Sequence, residues 1–288
     1  MIRALLFSAA VVASTSGLAE NKGGYPSLWD HADPTLQQQL VDIVSQLGYN
    51  GAIKEKQLAI ALVDIRDLYQ PRVAALNGDT MMYAASLPKL AILLGAFVKI
   101  REEPSALDPD IRESLTQMIR YSSNQHATRM LNWVGRDRLL AILQSSEFDL
   151  YDEEGAGGLW VGKAYGKAPA YQRDPLHNLS HGATPMQVAR LYYLLETGQV
   201  ADEALTAQMK EMLGNPGIHH KFVKGLADYP DAKIYRKSGS WRQWHADSAL
   251  IEAHDTRYIV VALAENVDGG QWLSRIIKPI HELMVSLK

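Results

Sequence analysis

Tyr83-Ala84-Ala85-Ser86-Leu87-Pro88-Lys89-Leu90 runs directly into Ala91-Ile92-Leu93-Leu94-Gly95-Ala96-Phe97-Val98. The second half is apolar nearly all round, which marks a buried helix rather than a surface one. Pro88 reads as lying just inside the helix start, where its missing N–H costs no hydrogen bond. Ser86 and Lys89 are three residues apart, a spacing that puts a hydroxyl and an amine on one face of a helix start. Serine becomes a nucleophile only when a base takes its proton, and a desolvated lysine can be that base. The plainer reading is a helix-start serine beside a solvated lysine, because a Ser-x-x-Lys arises about once by chance in a chain this long.

Around this stretch the pattern alternates between sheet and helix. Upstream, Pro34 to about Leu47 is a helix with Leu36, Leu40, Ile43, Val44 and Leu47 on one face. Residues 57–65 read as a buried strand and 72–77 as its partner, with Asn77-Gly78-Asp79 as a turn. Downstream come helices over 110–120, from Gln125, and over 138–143. Residues 153–181, rich in Gly, Pro and Tyr, read as mostly loop. Thr184-Pro185 opens a further helix with a cap and a first-turn proline, and 203–213 forms another. The tail returns to strands over 233–240, 245–253 and 257–264, the last two joined tightly enough to pair antiparallel. An amphipathic helix from Gln271 to Leu287 closes the chain.

The fold class expected is therefore mixed α/β (α+β). A five-stranded antiparallel sheet carries the N- and C-terminal helices and is interrupted by an all-helical insertion. The sheet subdomain would comprise residues 20–80 and 216–288, the helical subdomain residues 81–215, and the active site would lie between them.

Composition narrows the function. The chain has 288 residues, 47% hydrophobic and 21% charged, with a formal net charge of −3. That balance gives no reason to expect nucleic acid or an anionic membrane as partner. Cysteine is absent, which excludes disulfides and thiolate metal sites. Residues 1–19 read as a signal peptide: Arg3, a short apolar core, then small residues before a cut after Ala19. That core is too short to span a bilayer, so an exported, periplasmic or secreted protein without a membrane span is expected. His219-His220 and His245-x-Asp247 lack metal-site spacing on one element and read as surface or core histidines.

Two more short motifs follow the first in order: Ser122-Ser123-Asn124 between two helices and Lys237-Ser238-Gly239 on a strand. With Ser86-x-x-Lys89 they match the Ser-x-x-Lys, Ser-x-Asn and Lys-Ser/Thr-Gly pattern of the serine penicillin-recognising enzymes. The chain resembles that family, and most closely its class A β-lactamase branch, over nearly its whole length after residue 19. The resemblance implies that Ser86 attacks a carbonyl and holds it as an ester, with Lys89 as the base. Ser122 would relay a proton to the leaving nitrogen. Asn124 would bind a substrate amide and Lys89. Lys237, Ser238 and Ser240 would bind the substrate's carboxylate. Gly239 completes the third motif, and the N–H groups of Ser86 and Ser240 would form the oxyanion hole. No metal or other cofactor is implied.

The departures from the family pattern bear on the reaction. Class A enzymes carry a Glu-Pro-x-x-Asn loop whose glutamate activates the deacylating water. Here residues 172–178 read Gln172-Arg173-Asp174-Pro175-Leu176-His177-Asn178. Asp174 takes the glutamate's place with one methylene less, and a misplacement near 1 Å costs about a hundredfold in rate. Asp174 as a turn residue before proline is the plain alternative, and His177 and His181 are further candidates. The stretch from Ser86 to Ser122 is short, which predicts an open cleft. Trp241 and Trp244 either line it or cover the sheet edge. The first reading is a monomeric class A-like β-lactamase acting on a small-molecule β-lactam. The alternatives are a D-alanyl-D-alanine peptidase-like enzyme that takes a D-alanyl peptide and deacylates slowly, or a non-catalytic penicillin-binding protein.

Overall fold

The computed structural model describes residues 24–287, so the expected signal peptide lies outside the described residues. The central sheet is built from β1 (Leu58–Asp64), β2 (Arg72–Leu76), β8 (Lys233–Trp241), β9 (Trp244–Ala253) and β10 (Thr256–Glu265). Its order is β2-β1-β10-β9-β8, and every neighbouring pair is antiparallel. Between β2 and β8 stand the short strands β3 (Met82–Tyr83), β4 (Tyr151–Asp152), β5 (Gly157–Gly158), β6 (Trp160–Val161) and β7 (His181–Ala183). The helices are α1 (Pro34–Gln46), α2 (Asn50–Lys54), α3 (Lys89–Glu102), α4 (Pro109–Arg120), α5 (Asn124–Val134), α6 (Arg136–Gln144), α7 (Pro185–Glu196), α8 (Glu203–Leu213), α9 (Phe222–Gly225) and α10 (Gly269–Ser286).

Both faces of the sheet are covered, which explains why β1 reads as an unbroken apolar run rather than an alternating one. Successive side chains of a strand point to opposite faces. Leu58, Ile60 and Leu62 pack with Leu36 and Leu40 of α1 and Ile276 and Ile280 of α10. Ala59, Ala61 and Val63 share the other core with the helical insertion. Each fully buried leucine or isoleucine contributes about 1.5–3 kcal/mol. α3 runs through the middle of the second core, with all its residues from Lys89 to Val98 buried. Gly95 lets it approach its neighbours: a Cβ there would lie 2.9 Å from side-chain carbons of Val134 and Leu139.

Helix starts follow the sequence signals. Asp33, Asp108, Ser123, Thr184 and Asp202 each cap a helix by accepting a backbone N–H two or three residues into it, worth about 1 kcal/mol apiece. The 153–181 segment departs from the expectation of mostly loop. It contributes β5 and β6, and β6 pairs with β7, which pairs with β3, to form a small second sheet. Strands of two residues carry no periodicity, so nothing in the sequence pattern marks them. This sheet matters because β3 leads directly into the Ser86 turn.

Candidate active site

Ser86 stands in the turn between β3 and α3, not in the helix. The helix begins at Lys89 and Pro88 occupies its cap position. The turn is closed by Leu87 N–H donating to Ala84 O (3.0 Å) and Lys89 N–H donating to Ser86 O (3.2 Å). Ala84 N–H donates to His181 O of β7 (3.0 Å), which anchors the turn to the small sheet. Ala85, just before the serine, has φ +51°, a left-handed conformation that costs a non-glycine residue about 1–3 kcal/mol. From the other side, β8 presses on the turn. A Cβ at Gly239 would lie 2.1 Å from Ala84 O and 2.8 Å from the backbone nitrogens of Ser86 and Leu87. Glycine is thus a steric requirement of the third motif, because the atoms it would strike are backbone and cannot move aside cheaply.

The three motifs meet through their side chains. Lys89 Nζ donates to Ser122 O (2.5 Å) and to Asn124 Oδ1 (2.8 Å), and lies 3.4 Å from Ser122 Oγ. Lys237 Nζ donates to Ser122 Oγ (3.0 Å) and Ser238 O (2.8 Å). Ser122 thus sits between two buried amines, and it too is left-handed, with φ +57°. Burial pushes the Lys89 amine down to about 7. Lys237 is held well below the ordinary lysine value, first by burial and then by the charge of Lys89. The expected contact between the side chains of Ser86 and Lys89 is not among the hydrogen bonds formed; the amine turns instead to Ser122 and Asn124.

Behind β8 lies a second layer that the motifs do not reveal. Arg236 and Asp247, both almost fully buried, form a two-pronged ion pair with two 2.7 Å contacts. Asp247 also accepts Phe222 N–H (3.1 Å) and Arg236 donates to Ile218 O (2.7 Å). Lys221 Nζ donates to Gly239 O, to Ser240 Oγ (2.8 Å) and to Ala246 O (2.9 Å). Burial lowers Lys221 to about 8, Asp247 opposing and Arg236 adding to the shift. Lys221 has no motif and no telling spacing, and only the folded chain brings it under Ser240. Of the histidine pairs, His220 Nδ1 meets Arg236 at 3.0 Å and Asp247 is taken by Arg236.

Asp174, the candidate deacylating carboxylate, lies within its own loop. It is buried, and both its oxygens are engaged within its own loop. Oδ1 accepts Tyr151 O–H (3.1 Å), His177 N–H (2.9 Å) and Leu176 N–H (3.2 Å), and Oδ2 accepts Leu179 N–H (2.5 Å). Three of the donors converge on Oδ1 and one on Oδ2, which ties the carboxylate to its own loop. Asp174 is the turn residue of this loop, and it does not line the cleft that holds Ser86. His177 is exposed and contributes only its backbone N–H. His181 is buried and does line the cleft. Its Nε2 lies 3.0 Å from Lys163 O and so carries the proton, while Nδ1 has no partner among the described residues. Burial lowers this imidazole to about 4.

Ser86, Asn124 and Ser240 line a cleft of about 690 Å³ together with Tyr165, Trp241 and Trp244. The two tryptophans therefore line the cleft. Lys89, Ser122 and Lys237 stand behind its surface, Lys89 beneath the Tyr165 ring at 4.5 Å, and Ser238 is buried within β8. Another cavity, of about 720 Å³ around Lys210, Gly214 and Tyr235, touches none of the motif residues.

The β-lactamase enzyme family model matches residues 99–280, which include the second and third motifs and begin just after the first. No curated protein sequence matches the chain. Its fold is that of PBP-A, at 16% identity and a TM-score of 0.68 over 91% of this chain and 100% of that one. A PBP-A mutant in acyl-enzyme complex with penicillin G matches at 17% identity and a TM-score of 0.65, again over 91% and 100%. The β-lactamase of Sphaerobacter thermophilus matches at 15% identity and a TM-score of 0.66 over 87% and 98%. Since the family model spans well over half of the sequence, and the fold agrees, the chain belongs to the β-lactamase enzyme family and has the class A-like fold.

Proposed function

We propose that the protein is an exported serine acyl-transfer hydrolase in which Ser86 is acylated by a β-lactam or a D-alanyl peptide. The observation that carries this reading is the environment of Lys89. Its amine is desolvated to about 7, so much of it is neutral near neutral pH. A neutral amine has two N–H bonds, and the two obligate acceptors Ser122 O and Asn124 Oδ1 take both. One lone pair remains for a proton.

Ser86 Oγ adds to the carbonyl carbon as its proton passes to Lys89, directly or through water. The oxyanion is held by the N–H groups of Ser86 and Ser240. The C–N bond then breaks, and the proton reaches the leaving nitrogen through Ser122, whose hydroxyl joins Lys89 and Lys237. Lys237 and Ser240, with the Lys221 amine behind Ser240, donate hydrogen bonds to the substrate's carboxylate.

Deacylation needs a base for water. Among the described residues no carboxylate lines the cleft, and Asp174 is buried and hydrogen-bonded within its own loop. This supports a long-lived ester, and hence the D-alanyl-D-alanine peptidase-like or penicillin-binding reading over a fast β-lactamase. Intact-mass spectrometry with benzylpenicillin, sampled from seconds to hours, tests it. The expected result is one adduct per chain that persists and is absent in Ser86→Ala. An adduct that vanishes as hydrolysed drug accumulates restores the β-lactamase reading. Absence of both adduct and hydrolysis overturns the β-lactam assignment.

A further inference from the structure

The charge around the cleft is one-sided. The chain as a whole is slightly acidic, with 32 acidic against 29 basic residues. Yet four basic residues, Lys163, Lys167, Arg173 and Arg242, line the Ser86 cleft, and among the described residues no aspartate or glutamate does. Among the described residues none of the four forms an ion pair. Arg173 donates to Asn178 O (2.9 Å) and Arg242 lies over the Trp241 ring at 5.7 Å. Three come from the segment between β6 and β7, and Arg242 from the β8–β9 turn. The four therefore belong to two different walls of one opening.

Behind them, Lys89, Lys221, Arg236 and Lys237 share Asp247 as the only carboxylate hydrogen-bonded to any of them among the described residues. Cations lining a cleft with low-dielectric walls raise the local concentration of anions and speed their entry. Unpaired cations crowded into one opening also repel one another, and an anionic ligand relieves that repulsion.

The single carboxylate beside the scissile bond is already served by Lys237, Ser240 and Lys221 in the reading above. The rim is surplus to that need. We infer that the preferred acyl donor carries at least one further carboxylate on its acyl side, seated among Lys163, Lys167, Arg173 and Arg242. This deepens the Ser86 reading and rests on it for the word acyl. The aromatic rings of Tyr83, Trp241 and Trp244 on the same surface suit an amide-rich or aryl backbone between the charges.

Two penicillins that differ by one carboxylate provide the test: benzylpenicillin and carbenicillin, whose side chain bears the extra acid. The second-order rate constant for acylation of Ser86 is measured for both at about 50 and 300 mM NaCl. The wild-type protein should favour carbenicillin by about fivefold or more at low salt, and the preference should shrink at high salt as screening grows. Lys167→Gln and Arg242→Gln should each lower the carbenicillin rate about two- to threefold, and the benzylpenicillin rate less. Equal rates with no salt dependence, or a preference untouched by both substitutions, overturn the inference.

A second measurement is independent of ester formation. Calorimetric titration of Ser86→Ala with the two ring-opened penicillins should show tighter binding of the one with the extra carboxylate. If that preference holds while intact penicillins leave Ser86 unmodified, the acyl-enzyme reading fails and the anion site stands. If the preference is absent, the anion site fails whatever Ser86 does.

Discussion

Lys89 and Asp174 are both buried and both hydrogen-bonded, but their partners differ in kind. Lys89 is held by residues 33 and 35 positions away, and Lys237 by a serine 115 positions away. Asp174 is held mainly by N–H groups two, three and five residues further along its own loop. Local backbone donors hold the carboxylate in its loop, buried and outside the lining of the Ser86 cleft. Lys89 instead takes its partners from the distant Ser122–Asn124 stretch, and burial lowers its amine. The same burial thus joins an amine to distant elements in one place and ties a carboxylate to its own loop in the other.

The contrast breaks most sharply at the contact between β8 and the Ser86 turn. Gly239→Ala drives a methyl group against Ala84 O and Ser86 N, so the acylation rate should fall about a hundredfold or more. The loss should show in stopped-flow acylation of protein that still unfolds cooperatively. Unchanged acylation would mean that the turn does not hold the nucleophile in place.

pH sharpens the role assigned to Lys89. The amine accepts a proton only when neutral, and burial lowers it to about 7. Acylation should therefore rise about tenfold per pH unit below about 7 and level off above it. The unfolded chain's lysine titrates near 10.4, so between about 7 and 10 the unfolded state binds more protons and stability should also rise with pH. A flat acylation profile from pH 5 to 9 would remove Lys89 as the base.

Asp174→Asn separates the two kinds of residue. It should lower unfolding stability by about 2 kcal/mol, since an amide cannot accept all four donors, while the lifetime of any Ser86 adduct changes less than about threefold. An adduct that lives a hundredfold longer in a variant of native stability would instead make Asp174 the deacylating base. The smallest expected effect is in Tyr151→Phe, which removes one donor at 3.1 Å from Asp174. Chemical denaturation should register a loss of about 1 kcal/mol, with acylation unaltered.

The sheet and most helices were legible because their signals are local and periodic. The run over 57–65, the Thr184-Pro185 start and the closing strand–turn–strand each carry their pattern within a dozen residues. The pieces missed were α2, β3, β4, β5, β6, β7 and α9, all too short to show a period. Pro88 shifted by one position, from the first helical residue to the cap.

The candidate site residues Ser86, Lys89, Ser122, Asn124, Lys237 and Gly239 stand out in the sequence because three motifs in order are improbable together, although each is weak alone. The sequence by itself determined which chemistry-bearing residues exist and in which order they come. Tertiary structure alone decided their arrangement. It brought Lys221 under Ser240, joined Lys163, Lys167, Arg173 and Arg242 into one opening, and turned Asp174 into its loop. Hydrogen-bond direction, burial and charge crowding depend on neighbours distant in the chain, and neither spacing nor composition carries that information.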